Sequence, residues 1–257
     1  MKYFDVHTHL NLPEFSADWK ETAERARLAG VSFVNIGTDL DSSAKAITIA
    51  KALPGLAYAT VGIHPYVVEK EGEQERLAEL AQALEVVAIG ECGFDRLSVI
   101  TEIEATRQRT LFDWQLDLAF KLNKPLVIHC RESYVELLTV LVAKRDAGLL
   151  PSRIDIHFFS GDWTIAQQFL ALGCYLSFTG VITFARAYDE MIKNIPLDRL
   201  LVETDAPYVA PVPYRGQRNE PAYVIEVVKA IARIRGEEED LVAQTLYDNT
   251  HHFFGLD

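Results

Sequence analysis

The chain has 257 residues, of which 49% are hydrophobic, and its mean hydropathy is +0.04. These values are typical of a globular protein and exclude a disordered or membrane-embedded one. The 25 basic and 37 acidic residues give a net charge of −12, which excludes a broad basic surface for non-specific binding of duplex DNA or anionic lipid.

Eight short runs of apolar, β-branched and aromatic residues predict strands at 3–9, 32–37, 57–63, 86–91, 125–130, 154–158, 174–178 and 200–204. Segments with helical periodicity separate these runs, at 16–29, 42–53 (behind a cap at Asp41), 73–84, 102–122, 132–147, 162–172 and 186–195. Two further helices are predicted at 220–235 and 237–254. Because strands joined through helices run parallel, the pattern predicts an α/β fold, a single (β/α)8 TIM barrel over residues 1–257.

Candidate ligands stand at the carboxyl ends of six predicted strands, where such a barrel carries its chemistry. His7 and His9 end the first strand and point the same way, because side chains alternate along a strand. The other ends carry His64, Glu91, His129, His157 and Asp205. Five of the seven histidines therefore fall on one predicted rim, which a structural role does not explain.

Six of these residues form the predicted metal site: His7, His9, Glu91, His129, His157 and Asp205. They exceed the three protein ligands of a typical single catalytic zinc, so we expect two divalent ions. Glu91 lies between the two histidine groups along the chain and is the candidate bridge. Imidazole and carboxylate ligands leave zinc, manganese and magnesium open. His64 has no carboxylate beside it in sequence, and we assign it to the substrate side.

Five motifs, spread from the first predicted strand to beyond the last, resemble those of a known family. They are Phe4-Asp5-Val6-His7-Thr8-His9, Gly62-Ile63-His64-Pro65, Gly90-Glu91-Cys92-Gly93, Ile128-His129-Cys130-Arg131 and Glu203-Thr204-Asp205-Ala206-Pro207-Tyr208. The most specific stretch continues the last motif with Ala210-Pro211 and Tyr214-Arg215-Gly216-Gln217-Arg218-Asn219-Glu220-Pro221. In these motifs the chain resembles the TatD family of metal-dependent deoxyribonucleases, which have an amidohydrolase-like barrel.

The resemblance implies a division of the six ligands between two metal positions. One position would use His7, His9, Glu91 and Asp205, and the other would use Glu91, His129 and His157. The chain departs from the family at one place, where Phe94-Asp95-Arg96 replaces an aliphatic residue, Asp and Tyr. We expect Arg96 and residues 98–100 to lie on a rim loop, where the change would affect substrate preference more than metal binding.

A two-metal site suits phosphodiester hydrolysis by a metal-activated water. The resemblance implies that this activity is that of a deoxyribonuclease acting as a 3′ exonuclease on single-stranded DNA. Asp205 and Glu91 are the predicted catalytic residues, and Asp205 would accept the proton of the water. Arg131 is expected to bind substrate phosphate, as is Arg215 or Arg218. Glu203 would either orient a metal ligand or fill a polar layer of the barrel.

Two other enzyme functions use the same predicted site and stay open: hydrolysis of an amide or lactone, and hydrolysis of an aminoacyl-tRNA ester. A catalytically silent metal-binding scaffold would have no chemical need for six intact ligands.

The expected partner is a DNA end or another small phosphodiester, with no membrane and no obligate protein partner, and we expect a monomer. The amino-terminal segment reaches Asp5 and His7 before an apolar run could form. Cys92, Cys130 and Cys174 are odd in number and far apart, which predicts buried reduced thiols rather than disulfides. We therefore expect a cytoplasmic enzyme.

Overall fold

A computed structural model describes residues 2–68, 70–97 and 101–256. Its eight strands form one parallel sheet in sequential order. They are β1 (Tyr3–Thr8), β2 (Val31–Asn35), β3 (Ala57–Val61), β4 (Val86–Asp95), β5 (Leu126–Arg131), β6 (Ile154–Ile156), β7 (Tyr175–Phe178) and β8 (Leu200–Val202). A bridge between Thr8 and Ala206 brings the last strand back beside the first. The predicted (β/α)8 barrel is confirmed.

Helices alternate with the strands and continue beyond β8. They are α1 (Trp19–Leu28), α2 (Leu40–Ala52), α3 (Glu73–Leu80), α4 (Glu102–Leu122), α5 (Tyr134–Asp146), α6 (Trp163–Ala171), α7 (Asp189–Asn194), α8 (Val224–Arg235) and α9 (Glu239–Phe254). Most predicted elements differ from these only at their ends. Within the described parts of the chain, no helix is long and apolar enough to cross a lipid bilayer.

The predicted cap of α2 is wrong by two residues. Asp39, not Asp41, is the N-cap, and its Oδ1 accepts a hydrogen bond of 2.7 Å from the backbone N–H of Ser42. The hydroxyl oxygen of Ser42 in turn accepts from the backbone N–H of Asp39 at 2.9 Å. This reciprocal pair needs a polar side chain three residues after the cap. Asp39 has Ser42 there, whereas Asp41 has Ala44.

The fourth strand runs beyond its predicted end at Glu91 as far as Asp95. In this extension Gly93 pairs with His129 of β5. Gly93 has a φ of +145°, and a Cβ atom there would overlap the carbonyl oxygen of His129. Glycine therefore permits the close approach that keeps β4 paired with β5 past Glu91.

The amino-terminal end of the barrel is closed by α9. Phe253 packs against Tyr175, with ring centroids 5.3 Å apart, and Phe254 packs against Phe4 at 6.4 Å. The Nδ2 of Asn249 donates to the carbonyl of Leu200 at the start of β8. These rings join the apolar cluster inside the barrel. His251 and His252 lie on the same helix, away from the other five histidines, as expected.

The three cysteines are free and buried, which confirms the predicted thiols. Burial raises the pKa of Cys130 to about 12 and the pKa values of Cys92 and Cys174 further. They are therefore protonated and unreactive near neutral pH.

Candidate metal centre

A cleft of about 690 Å³ opens at the carboxyl ends of the strands. Its lining includes six of the residues singled out in the sequence, which are His9, His64, Glu91, His129, His157 and Asp205. Arg131 also lines it, and His7 lies beneath, with no exposed surface. The structure thus brings all the predicted ligands to one place, although they come from five different strands or strand ends.

Glu91 lies at the centre of this cluster. Its Oε1 is 2.8 Å from Nδ1 of His129, 3.1 Å from Nε2 of His157 and 3.6 Å from Nε2 of His64. Its Oε2 is 3.4 Å from Nε2 of His7. One carboxylate therefore faces imidazoles from β1, β5 and the segments after β3 and β6, the position that a bridging ligand requires.

The histidines at the end of β1 converge as strand alternation predicts. The Nε2 atoms of His7 and His9 lie 3.2 Å apart. Oδ1 of Asp205 is 3.4 Å from Nε2 of His9 and 3.8 Å from Nε2 of His7. Asp205 reaches this position because its backbone N–H donates to the carbonyl of His7, where the barrel closes.

His64 lies closer to the predicted ligands than its sequence context indicated. With Glu91 and His129 it forms a group whose ligand atoms all lie within 4.8 Å of one another, and His7, His9 and Glu91 form a second such group. Desolvation lowers the pKa of His64 to about 4, so its imidazole is neutral near neutral pH. Its placement on the substrate side stays a prediction, and its position also suits a metal ligand.

Two carboxylates behind the cluster hold histidine rings. Oε1 of Glu203 is 3.2 Å from Nδ1 of His157, and Oε2 of Glu203 accepts a hydrogen bond of 2.8 Å from Ser177. Of the two roles considered for Glu203, this contact matches the orientation of a ligand. Asp95 makes the corresponding contact with His129, and no role was predicted for it because the predicted strand ended before it.

The electrostatics of the cluster keep its central carboxylates ionised. Burial raises the pKa of Glu91, but His157, His129 and His7 outweigh it and hold that pKa well below its usual range. For Asp205, burial likewise opposes ionisation, and the hydrogen bond with His9 and the nearby imidazoles lower the pKa overall. Both side chains are therefore anionic oxygen donors near neutral pH.

The donor set fits divalent metal ions. The rings of His7 and His157 stack with centroids 3.8 Å apart, and burial lowers the pKa of His7, so an uncharged ring nitrogen faces Glu91. Neutral imidazole and ionised carboxylate are the ligand forms that first-row metals bind.

Comparison with known proteins decides the family. The family model described as TatD related DNase matches residues 4–255. The chain belongs to this family. A TatD relative from Pectobacterium atrosepticum, named 3'-5' ssDNA/RNA exonuclease TatD, is 34% identical over 98% of this chain and 99% of its own length. An Escherichia coli relative, the uncharacterized metal-dependent hydrolase YjjV, is 34% identical over 99% of this chain and 98% of its own.

A solved TatD-family structure has the same fold. The crystal structure of the E. coli TatD homologue YjjV matches with a TM-score of 0.89 and 30% identity, and the match covers 100% of this chain and 99% of that one. The family and these full-length relatives identify the chain as a metal-dependent hydrolase of the TatD family that acts on ester bonds.

The predicted phosphate-binding arginines of this TatD-family chain differ in where they lie relative to the cleft. Arg131 lines the cleft. Arg218 instead pairs with Asp18 at 2.5 Å, and Arg215 stacks on the ring of Phe184 at 3.9 Å. Both are therefore held by the protein itself, which leaves Arg131 as the phosphate-binding candidate that the geometry favours.

The residue that departs from the TatD pattern, Arg96, binds neighbouring helices. It pairs with Glu136 of α5 at 3.1 Å and donates to Gln108 of α4, and it is not among the residues that line the cleft. An effect of Arg96 on substrate would thus be indirect. Residues 98–100, expected on the same loop, lie outside the described residues.

Proposed function

We propose that this chain is a divalent-metal-dependent exonuclease that removes nucleotides from the 3′ end of single-stranded DNA. The observation that carries the proposal is the position of Glu91, whose one carboxylate faces four imidazoles with Asp205 beside them at the base of a cleft. The name of the Pectobacterium relative, a 3'-5' ssDNA/RNA exonuclease, supports the polarity and the single-stranded substrate.

The proposed site holds two ions of zinc, manganese or magnesium. His7, His9, Glu91 and Asp205 would hold one, and Glu91, His129 and His157 would hold the other. When bound, such ions lower the pKa of a coordinated water and neutralise charge that develops on the phosphoryl oxygens.

The side chains around the ions have distinct proposed roles. Asp205 is ionised and accepts the proton of the attacking water. Arg131 binds a phosphate oxygen at the rim of the cleft. His64 is uncharged and lies on the substrate side, where its ring can form a hydrogen bond without adding charge.

The aromatic rings around the cleft favour a single-stranded end over an internal duplex bond. Aromatic rings border the site: Phe158 and Tyr208 line the cleft, and Tyr66 follows His64, with Tyr66 and Tyr208 half exposed. Exposed rings stack with unpaired bases, and stacking contributes about 1–3 kcal/mol per base. Bases in a duplex already stack on one another, so a single-stranded end is the substrate that gains from these rings. The reduced, buried thiols fit a cytoplasmic setting.

The experiment that tests this proposal uses 5′-labelled and 3′-labelled single-stranded DNA with the metal-free and reloaded protein. Stepwise shortening of 5′-labelled strands, abolished by a chelator and by Asp205→Asn, is the expected result. A matched control, Asp146→Asn, removes an exposed carboxylate far along α5 and should retain full activity. First cuts at internal positions would contradict exonuclease action. Intact DNA and RNA alongside turnover of a lactone, an amide or an aminoacyl-tRNA would replace the proposal with the corresponding ester or amide hydrolase.

A further inference from the structure

The ring of His129 is held at both of its nitrogens. Its Nδ1 lies 2.8 Å from Oε1 of Glu91, and its Nε2 lies 2.9 Å from Oδ2 of Asp95. Asp95 is buried, with 1% of its surface exposed, and its carboxylate contacts the ring nitrogen that Glu91 does not. A carboxylate on the outer nitrogen of a histidine determines which nitrogen carries the proton.

The extension of β4 places Asp95 over this ring. Asp95 comes four residues after Glu91, so strand alternation directs both side chains to the same side. The register pairs Gly93 with His129 and Asp95 with Arg131. In this register the carboxylate of Asp95 lies beside Nε2 of His129, at 2.9 Å. The strand therefore supplies one carboxylate to each side of the same histidine.

Contacts from three directions fix Asp95. Its Oδ1 accepts from the backbone N–H of Leu97 at 2.9 Å, and its own backbone N–H donates to Oε1 of Gln108 on α4 at 3.1 Å. Burial raises the pKa of Asp95, but His129, Tyr66 and the backbone N–H of Leu97 lower it to about 2 overall. A residue that served only to fix the loop after β4 would not need a carboxylate oxygen 2.9 Å from Nε2 of His129.

We infer that Asp95 is a positioning residue, which holds the Nε2–H of His129 and so directs the Nδ1 lone pair at the metal position beside Glu91. The inference rests on the proposed metal function. It assigns Asp95 to the affinity of one of the two metal positions, the one that includes His129. The position formed with His7 and His9 lies on the other side of Glu91 and does not depend on Asp95.

The test is calorimetric titration of the full chain, freed of metal, with Mn²⁺ or Zn²⁺. Asp95→Asn should lower affinity at one position by about 10- to 100-fold and leave the other unchanged. The control is Glu136→Gln, which breaks the ion pair that holds Arg96 in the same loop without touching His129, and it should bind both ions normally.

A second readout is independent of affinity. Nitrogen-15 spectra of the histidine rings in the zinc-loaded protein should show His129 protonated at Nε2 in the wild type and in Glu136→Gln, and a mixture of ring states in Asp95→Asn. If Asp95→Asn bound both ions with wild-type affinity, or if Glu136→Gln lost as much metal affinity as Asp95→Asn, the inference would be wrong. Asp95 would then serve only to fix the loop after β4. A wild-type chain that binds no divalent ion would overturn this inference and the proposed function together. Two bound ions without phosphodiester hydrolysis would overturn only the function.

Discussion

At the scale of single residues, the carboxylate of Glu91 contacts more imidazoles than a single metal ion requires as ligands. Four histidine nitrogens lie within 3.6 Å of its two oxygens. The ring of His157, by contrast, contacts two carboxylates, one oxygen of Glu91 and one of Glu203 behind it. Removal of these two side chains should therefore have unequal consequences for metal binding.

We expect Glu91→Ala to abolish activity and to lower metal content below that of His157→Ala, because a bridge serves both ions. Metal analysis of the purified variants, with His252→Ala as a histidine control on α9, measures the difference. Retention of both ions by Glu91→Ala would show that this carboxylate does not bridge.

The imidazoles also predict how metal affinity depends on pH. Burial lowers the pKa of His157, but Glu91 and Glu203 raise it more, and the result is well above the usual value; Asp95 and Glu91 likewise raise the pKa of His129. A protonated imidazole cannot bind a metal, so ions must displace these protons. Affinity should thus rise as pH increases from about 6 to about 8. Glu91 and Asp205, with lowered pKa values, stay ionised throughout.

Titrations in buffers of different ionisation enthalpy measure the protons released on binding. Release should be larger at the acidic end of the range and smaller in His157→Ala. Affinity that does not change with pH would contradict the raised pKa values.

At the scale of elements, local sequence patterns predict the barrel, but they predict the candidate site only in part. Each strand and helix carries its own periodicity, so their order was predictable from the sequence. The predicted ligands His7, His9, His129 and His157 follow directly from strand ends, because parallel strands end on one rim. The role of Asp95 was not predictable, since the end of β4 depends on pairing with β5, in which Asp95 lies opposite Arg131, 36 positions further along the chain. The partners of Arg218 and Arg96 are likewise distant in sequence.

The cap of α2 gives a stability prediction. Asp39→Ala removes the oxygen that accepts from Ser42, and this should cost about 1 kcal/mol of unfolding free energy. Asp41→Ala removes only a charge in the first turn and should cost about 0.3–1 kcal/mol at low salt. Urea unfolding of both variants at low and high salt separates the two, because the cost of Asp41→Ala should fall with salt while that of Asp39→Ala remains. If both variants lost the same unfolding free energy, and both losses fell with salt, the capping box would contribute little to stability.

At the scale of the whole molecule, the net charge is −12, and Arg131 is the single arginine among the described residues that line the cleft. These two features predict that binding of a nucleic acid depends weakly on salt. Each neutralised phosphate of a single strand contributes about 0.7 to the slope of log affinity against log salt. Two or three contacts would give a slope of about −1.4 to −2.1. Binding of a short oligonucleotide to Asp205→Asn at fixed metal, with metal content checked, measures this slope. A slope steeper than about −4 would require six or more contacts, and hence an extended basic surface.

The closure of the barrel by Phe253 and Phe254 of α9 has a consequence for how substrate and product move. The packed interior beneath the cluster and the rings of α9 block passage through the barrel axis, so material that enters the cleft must leave by the same mouth. A nucleotide cut from a strand end would lie deeper than the strand that delivered it. On the proposed exonuclease function, we therefore expect the shortened strand to withdraw before the nucleotide departs, so that each cycle of cutting ends with the two separating rather than with the strand sliding forward.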